Sequence, residues 1–290
     1  MHAPSRDDVR AWVANRSLRR IAIRVAVAVA VLAVMGTLGF YAYFELLAHH
    51  APDDVRESVR ADANVSVSER YGGYVVSDAD PGDEHLGLVF YPGGRVAPDA
   101  YLPMAAQVAE RANVTVVVPE MRVNLAVLSP GRADAVVEGE PTVSRWVVGG
   151  HSLGGAMACR YAGSHGETVD GLLLVGSYCD RPVRELSALA VLGTRDAVLD
   201  RDRFAANRAF LPPDHTVRRI EGMNHSQAGW YTGQRGGQPA RISTAAAHHR
   251  LAAVVAEWLC RDLDHCPDDR TDRQRDVTSS RTGPVGVPVR

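Results

Sequence analysis

The chain has no lysine: all 32 of its basic residues are arginine. That absence removes the phosphate-gripping lysine of a P-loop, the Schiff-base lysine and a Ser-Lys dyad, each of which needs an amine on a flexible stem. A nucleophile must therefore come from Ser, Cys, Thr, Asp or Glu. A basic surplus is missing as well. With a net charge of −2 there is no electrostatic footprint for nucleic acid, and no such partner is expected. Cysteine is scarce, with four residues at Cys159, Cys179, Cys260 and Cys266, none in a C-x-x-C pair. A zinc ribbon and a disulfide-built miniprotein are both excluded, and no metal or other cofactor is expected.

What the chain does have is one long uncharged run. Residues 25–44 carry no charge over 20 positions, about the length that a helix needs to cross a hydrocarbon core of roughly 30 Å. Arg6, Arg10, Arg16, Arg19, Arg20 and Arg24 precede it, and Glu45, Asp53 and Asp54 follow. The arginine bias predicts a single-pass cell-membrane anchor with a cytoplasmic N-terminus and everything after residue 45 outside. Tyr41, Tyr43 and Phe44 suit the headgroup level at its exit. A cleaved signal peptide fits less well, because its apolar region spans only about 7 to 15 residues.

Residues 1–24 then read as a cytoplasmic arginine-rich segment, 25–44 as the span, 45–63 as a stalk, 64–263 as the catalytic domain and 264–290 as a disordered tail. From residue 261 on, six Arg and six Asp with almost no large apolar residue cannot offset the entropy of ordering. Between stalk and tail, short apolar runs alternate with helical stretches. Strands are expected at 65–69, 74–77, 86–91, 114–119, 145–149, 171–176, 186–193 and 216–220, and helices at 99–111, 153–162 and 244–260. This alternation predicts an α/β fold with a mostly parallel sheet covered on both faces.

Residues 146–155 hold the strongest local signal, Gly150-His151-Ser152-Leu153-Gly154. A G-x-S-x-G set between a β-branched run and a helical pattern is what a nucleophile elbow requires, with small residues where strand and helix approach closely. Ser152 is the candidate nucleophile, Gly150 and Gly154 the elbow glycines, and His151 a residue that shapes the turn. A serine hydroxyl needs a base, and the base needs an orienting acid. In this arrangement the chain order is Ser, acid, His. Asp196, 44 residues on and just past the buried run 189–193, is the candidate acid. Asp180 is the runner-up, and Asp200 and Asp202 suit a helix start. His225, 29 residues further in the loop after the last strand, is the candidate base. Two backbone N–H groups should face the developing oxyanion: that of Leu153, and one from Tyr91-Pro92-Gly93-Gly94-Arg95, where Gly94 is favoured over Gly93.

With these residues assembled, the chain resembles the α/β-hydrolase superfamily. More narrowly, 90–94 (FYPGG), 149–155 (GGHSLGG) and 224–229 (NHSQAG) are similar to the small dienelactone-hydrolase-like group called alpha/beta-hydrolase family 5, over about residues 65–260. Dienelactone hydrolases use a cysteine where this chain has Ser152, so the resemblance implies a generic serine hydrolase without a cap domain. Residues 177–185 leave no room for a lid, which favours small or exposed acyl substrates; 229–241 is the other place for a covering loop. The expectation is a membrane-anchored hydrolase of small-molecule carboxylic esters. The alternatives are a catalytically silent binding protein, or an acyltransferase or peptidase using the same three residues. Cys260 and Cys266 can bridge outside the cytoplasm, whereas Cys159 and Cys179 are expected to be buried free thiols.

Overall fold

The computed structural model describes residues 6–80 and 86–266. The expected tail falls mostly on residues 267–290, outside the described part. Contacts divide the chain into two compact units, residues 1–48 and 49–290.

The first unit is helix α1 (Arg6–Tyr41) continued by one wider turn, Ala42–Leu46. The 29-residue stretch Leu18–Leu46 is long and apolar enough to span a bilayer, and none of it is buried in protein. Val27, Val31, Leu32, Met35 and Leu38 are all more than half exposed. An apolar surface on every side has no aqueous face and suits lipid. At its far end Phe44 packs against Phe40 and Tyr43, with centroids 4.7 and 5.0 Å away.

The second unit is built on eight strands: β1 (Val65–Arg70), β2 (Gly73–Asp78), β3 (Leu86–Tyr91), β4 (Thr115–Val118), β5 (Arg145–His151), β6 (Gly171–Val175), β7 (Ser187–Gly193) and β8 (His215–Ile220). They form one sheet in the order β1-β2-β4-β3-β5-β6-β7-β8. β1 and β2 form a hairpin, β2 meets β4 antiparallel, and every other neighbouring pair is parallel. All eight strands fall where the apolar runs put them, within two residues. The helices are α2 (Asp53–Arg60), α3 (Leu102–Ala112), α4 (Arg132–Gly139), α5 (Leu153–Ser164), α6 (Arg201–Ala206) and α7 (Thr244–Leu263).

Alternate strand residues feed two cores. Leu88, Phe90, Val147 and Leu173 pack with α3 and α7 on one face, while Val89, Tyr91, Val148, Leu172 and Leu174 pack with α5 on the other. Because both faces are covered, β3, β6 and β7 are buried throughout and read as continuous apolar runs. The C-terminal ends of the parallel strands are the edge where α/β proteins collect functional groups. Residues 177–186 between β6 and β7 contain no helix, in keeping with the absence of a cap there.

One expectation is overturned. Cys159 and Cys179 are not free thiols but a disulfide between α5 and the loop after β6. The helix and that loop run side by side, with Cα atoms 5.5 Å apart, inside the bridging range. Cys260 and Cys266 are also bridged, and no free cysteine remains among the described residues.

Candidate active site

The residues 44 and 29 positions apart in sequence converge at the C-terminal edge of the sheet. β5 ends at His151, α5 starts at Leu153, and Ser152 makes the whole turn between them at φ 52°, ψ −120°. A non-glycine residue there costs on the order of 1–3 kcal/mol and persists only where its surroundings enforce it. The enforcement is visible. The Ser152 N–H donates to the Val175 carbonyl (3.1 Å), and its own carbonyl accepts from Ser177 Oγ (2.7 Å). A Cβ on Gly154 would lie 2.1 Å from the Tyr91 carbonyl oxygen, and one on Gly150 2.6 Å from the Gly154 backbone. Both elbow glycines therefore serve close approach of helix and strands.

Asp196 stands just past β7 and His225 past β8. His225 Nδ1 is 2.8 Å from Asp196 Oδ2, and both side chains are almost fully buried. Asp196 Oδ1 accepts the N–H groups of Val198 and Leu199, at 3.0 and 2.9 Å. Burial alone would raise the Asp196 pKa. The hydrogen bond and charge of His225, with the two backbone N–H groups, outweigh it and hold the carboxyl below its ordinary value. An ionised Asp196 can only accept, so the His225 nitrogen that faces it, Nδ1, carries a proton, and Nε2 is the ring nitrogen left for proton exchange. No hydrogen bond joins the Ser152 hydroxyl to His225 among the described residues. Such bonds are often long before substrate binds, and rotation about χ1 of Ser152 is the freedom that would change this one.

His151 lies beneath this pair, its ring centroid 4.4 Å from that of His225. Burial holds its pKa well below the ordinary value, so it is neutral. Tyr101, at the end of the 3-10 turn Pro98–Tyr101, explains its tautomer. The Tyr101 hydroxyl accepts the Gly93 N–H (2.8 Å), leaving its own proton for His151 Nδ1 (2.9 Å). That contact separates the two glycines. Gly93 has its N–H consumed, whereas Gly94, whose Cβ would lie 3.3 Å from Leu153 Cδ2, keeps an N–H without a partner among the described residues, as does Leu153.

Other sequence candidates lie elsewhere. Asp180 is engaged by Arg160 Nε at 2.9 Å and by Arg160 Nη2. Asp200 caps α6, accepting from the Arg203 N–H at 2.9 Å. A histidine that was no candidate, His248, is buried in α7, 3.1 Å from the Gly229 carbonyl. Three contributors escaped the sequence reading: Tyr101, Ser177 and Gly176. Gly176 has φ 54°, and a Cβ on it would sit 3.0 Å from Asp196 Oδ2 and 3.2 Å from His225 Nδ1. The only available signal was position, since Gly176 and Ser177 follow a buried strand at the same sheet edge. No group of His, Cys, Asp and Glu able to hold a metal occurs among the described residues.

A doubly covered, mostly parallel sheet with a strained serine between strand and helix defines an α/β hydrolase. The model of the alpha/beta hydrolase family matches residues 87–249, more than half of the chain, and the chain belongs to that family. Among solved structures it is similar to a bacterial membrane phospholipase A (16% identity, TM-score 0.49, 84% of this chain and 99% of that one). It is also similar to a dienelactone hydrolase from Anabaena variabilis (14%, 0.48, 70% and 100%) and to Est1E from Butyrivibrio proteoclasticus (10%, 0.48, 68% and 100%). No curated protein matches it.

Proposed function

We propose that this chain is a serine hydrolase of carboxylic esters, held to a membrane by α1 with its catalytic unit outside the cytoplasm. The observation that carries the chemistry is the buried His225–Asp196 pair at 2.8 Å, beside a serine held in a strained strand-to-helix turn. In this reading Ser152 Oγ attacks the ester carbonyl carbon while His225 Nε2 removes its proton. Asp196 stabilises the imidazolium without taking a proton itself. The carbonyl oxygen becomes an oxyanion that accepts the N–H groups of Leu153 and Gly94. The intermediate collapses, the alcohol leaves with the proton from His225, and an acyl group remains on Ser152. Water, deprotonated by the same histidine, then releases the carboxylic acid.

The neutral state of His151 supports this reading. A second positive charge 4.4 Å from the His225 ring would oppose formation of the imidazolium. For the location, two observations agree. α1 offers an apolar stretch of membrane-spanning length, and all four cysteines, which lie beyond it, are paired in disulfides, bonds that persist in oxidising compartments. A hydrolase with no helical insertion between β6 and β7 suits small or exposed acyl groups.

The test is hydrolysis of a short p-nitrophenyl ester by the full chain in detergent, together with labelling by a fluorophosphonate. Turnover and labelling, both lost in Ser152→Ala, are the expected results. An inert, unlabelled wild type would refute the reading and favour a silent binding protein, and labelling that survives the substitution would refute Ser152 as the nucleophile. Product analysis with added alcohol, amine or peptide separates hydrolysis from acyl transfer and peptide cleavage.

A further inference from the structure

The turn that presents Gly94 is strained and held from outside. It runs from Gly93 to Val96, closed by the Val96 N–H on the Gly93 carbonyl (3.1 Å). Its third residue, Arg95, has φ 62°, a conformation that this place in a turn normally gives to glycine or asparagine. Arg95 donates its N–H to the Asn124 carbonyl (2.8 Å), and Val123 and Asn124 are themselves left-handed, at φ 53° and 49°. Three non-glycine residues with positive φ in one cluster do not hold themselves there, so some neighbour must over-determine them.

For Arg95 one such neighbour is His49, the first residue of the second unit. Its N–H donates to the Arg95 carbonyl (2.9 Å), and its carbonyl accepts the Ala97 N–H (3.0 Å), a one-residue parallel bridge onto Val96. Arg95 Nη2 donates to His49 Nε2 (2.9 Å). The imidazole face stacks on Tyr231, with centroids 4.9 Å apart and planes at 29°. Tyr231 is buried six residues after His225, and the Trp230 N–H beside it donates to the Ala100 carbonyl (2.6 Å). One side chain thus touches both the turn bearing the Gly94 donor and the loop bearing the base. The next residues extend the grip: His50 Nδ1 and Arg56 Nη1 meet the buried Asp99 carboxylate at 3.0 and 2.9 Å. Asp99 belongs to the same turn as Tyr101, the residue that takes the Gly93 N–H.

We propose that His49 is a positioning residue for ester hydrolysis, whose ring clasps Arg95 and Tyr231 so that Gly94 and His225 keep their mutual geometry. The segment from His49 to Arg56 is then a working part of the catalytic unit, and its loss would impair turnover without unfolding the sheet. This inference rests on the esterase reading above. It acts on the transition state more than on substrate binding, because only the oxyanion requires the donors at their final distance.

The test compares three full-chain variants in detergent. His49→Ala removes ring and acceptor, His49→Phe keeps the stack on Tyr231 without an acceptor, and His49→Gln restores an acceptor for Arg95. A misplacement of about 1 Å at a catalytic group costs on the order of 10² in rate. We expect kcat for Ala and Phe to fall about 10- to 100-fold with KM within about twofold, fluorophosphonate labelling of Ser152 to slow in parallel, and Gln, which regains the acceptor for Arg95 but not the stack, to lie between Ala and wild type. Should His49→Ala fail to fold by thermal melt, Arg95→Met, which keeps the stem but loses the guanidinium, must show the same kcat loss. Variants all within twofold of wild type, or a Phe variant that is fully active, would overturn the positioning role. Wild-type protein without Ser152-dependent turnover would instead overturn the esterase reading, and this inference with it.

Discussion

Replacing Asp196 by asparagine tests the site at its most exposed logical point, because shape is kept and one proton is moved. In the structure the carboxylate uses Oδ1 to accept the Val198 and Leu199 N–H groups at 3.0 and 2.9 Å, and Oδ2 to accept from His225 Nδ1 at 2.8 Å. An asparagine can satisfy the two backbone donors only by turning its oxygen to them. That places its NH2 against His225 Nδ1, which must then accept and carry no proton. The proton moves to Nε2, the atom that has to take one from Ser152. Such a tautomer error lowers kcat by about 10⁴, equivalent to about 5 kcal/mol in the barrier. KM should change little, since neither group contacts the ground-state acyl chain in the proposed mechanism. The assay is p-nitrophenyl ester turnover by Asp196→Asn, with far-ultraviolet circular dichroism and a thermal melt to show that the sheet is intact. A folded variant within about tenfold of wild-type kcat would refute both the tautomer argument and the role of Asp196.

Two further outcomes follow from packing and burial. Cys159 and Cys179 close a loop with a sequence separation of 20, for which the chain-entropy estimate is about 3 kcal/mol. The pair Cys159→Ala/Cys179→Ala should lose about that much stability in urea, and alkylation of the native chain without reductant should add no mass; four labelled thiols would remove the bridges. His151 and His248 are fully buried, and burial drives His151 far below its ordinary value and His248 down to about 4. Below about pH 6.5 the unfolded chain binds protons at these two histidines that the folded chain excludes. Stability should therefore fall with pH by about 1.4 kcal/mol per unit for each of them, until the folded pKa is reached. Depression of the Asp196 pKa acts lower, removing stability only as pH passes below the ordinary carboxylate range. A urea midpoint that stays flat between pH 6.5 and 5 would contradict the burial of both histidines.

The part of this molecule that was legible in one dimension is the part held by local rules. Strands buried on both faces must be apolar at every position, so β3, β6 and β7 stood out as runs. Ser152 was visible because an elbow needs its small neighbours within two residues. Asp196 and His225 were visible because each follows a strand in the expected order, although nothing local states that they touch. The long apolar helix α1 needed only a count of uncharged residues.

What required the tertiary structure is whatever depends on which surfaces meet. Cys159 pairs with Cys179 because α5 lies along the loop after β6, and no spacing rule encodes that neighbour. Gly93 and Gly94 are chemically alike in sequence, and Tyr101, from the far side of the turn, distinguishes them by taking one N–H and leaving the other. His49 reads as part of a polar stalk, yet its ring lies between Arg95 and Tyr231. Sequence alone determined the fold family and the order of the candidate residues along the chain, since residue type and local backbone need are written residue by residue. The different bonding of Gly93 and Gly94, the His225–Asp196 contact and the place of the His49 ring were decided only by folding, because a hydrogen bond is a property of two groups brought within about 3 Å.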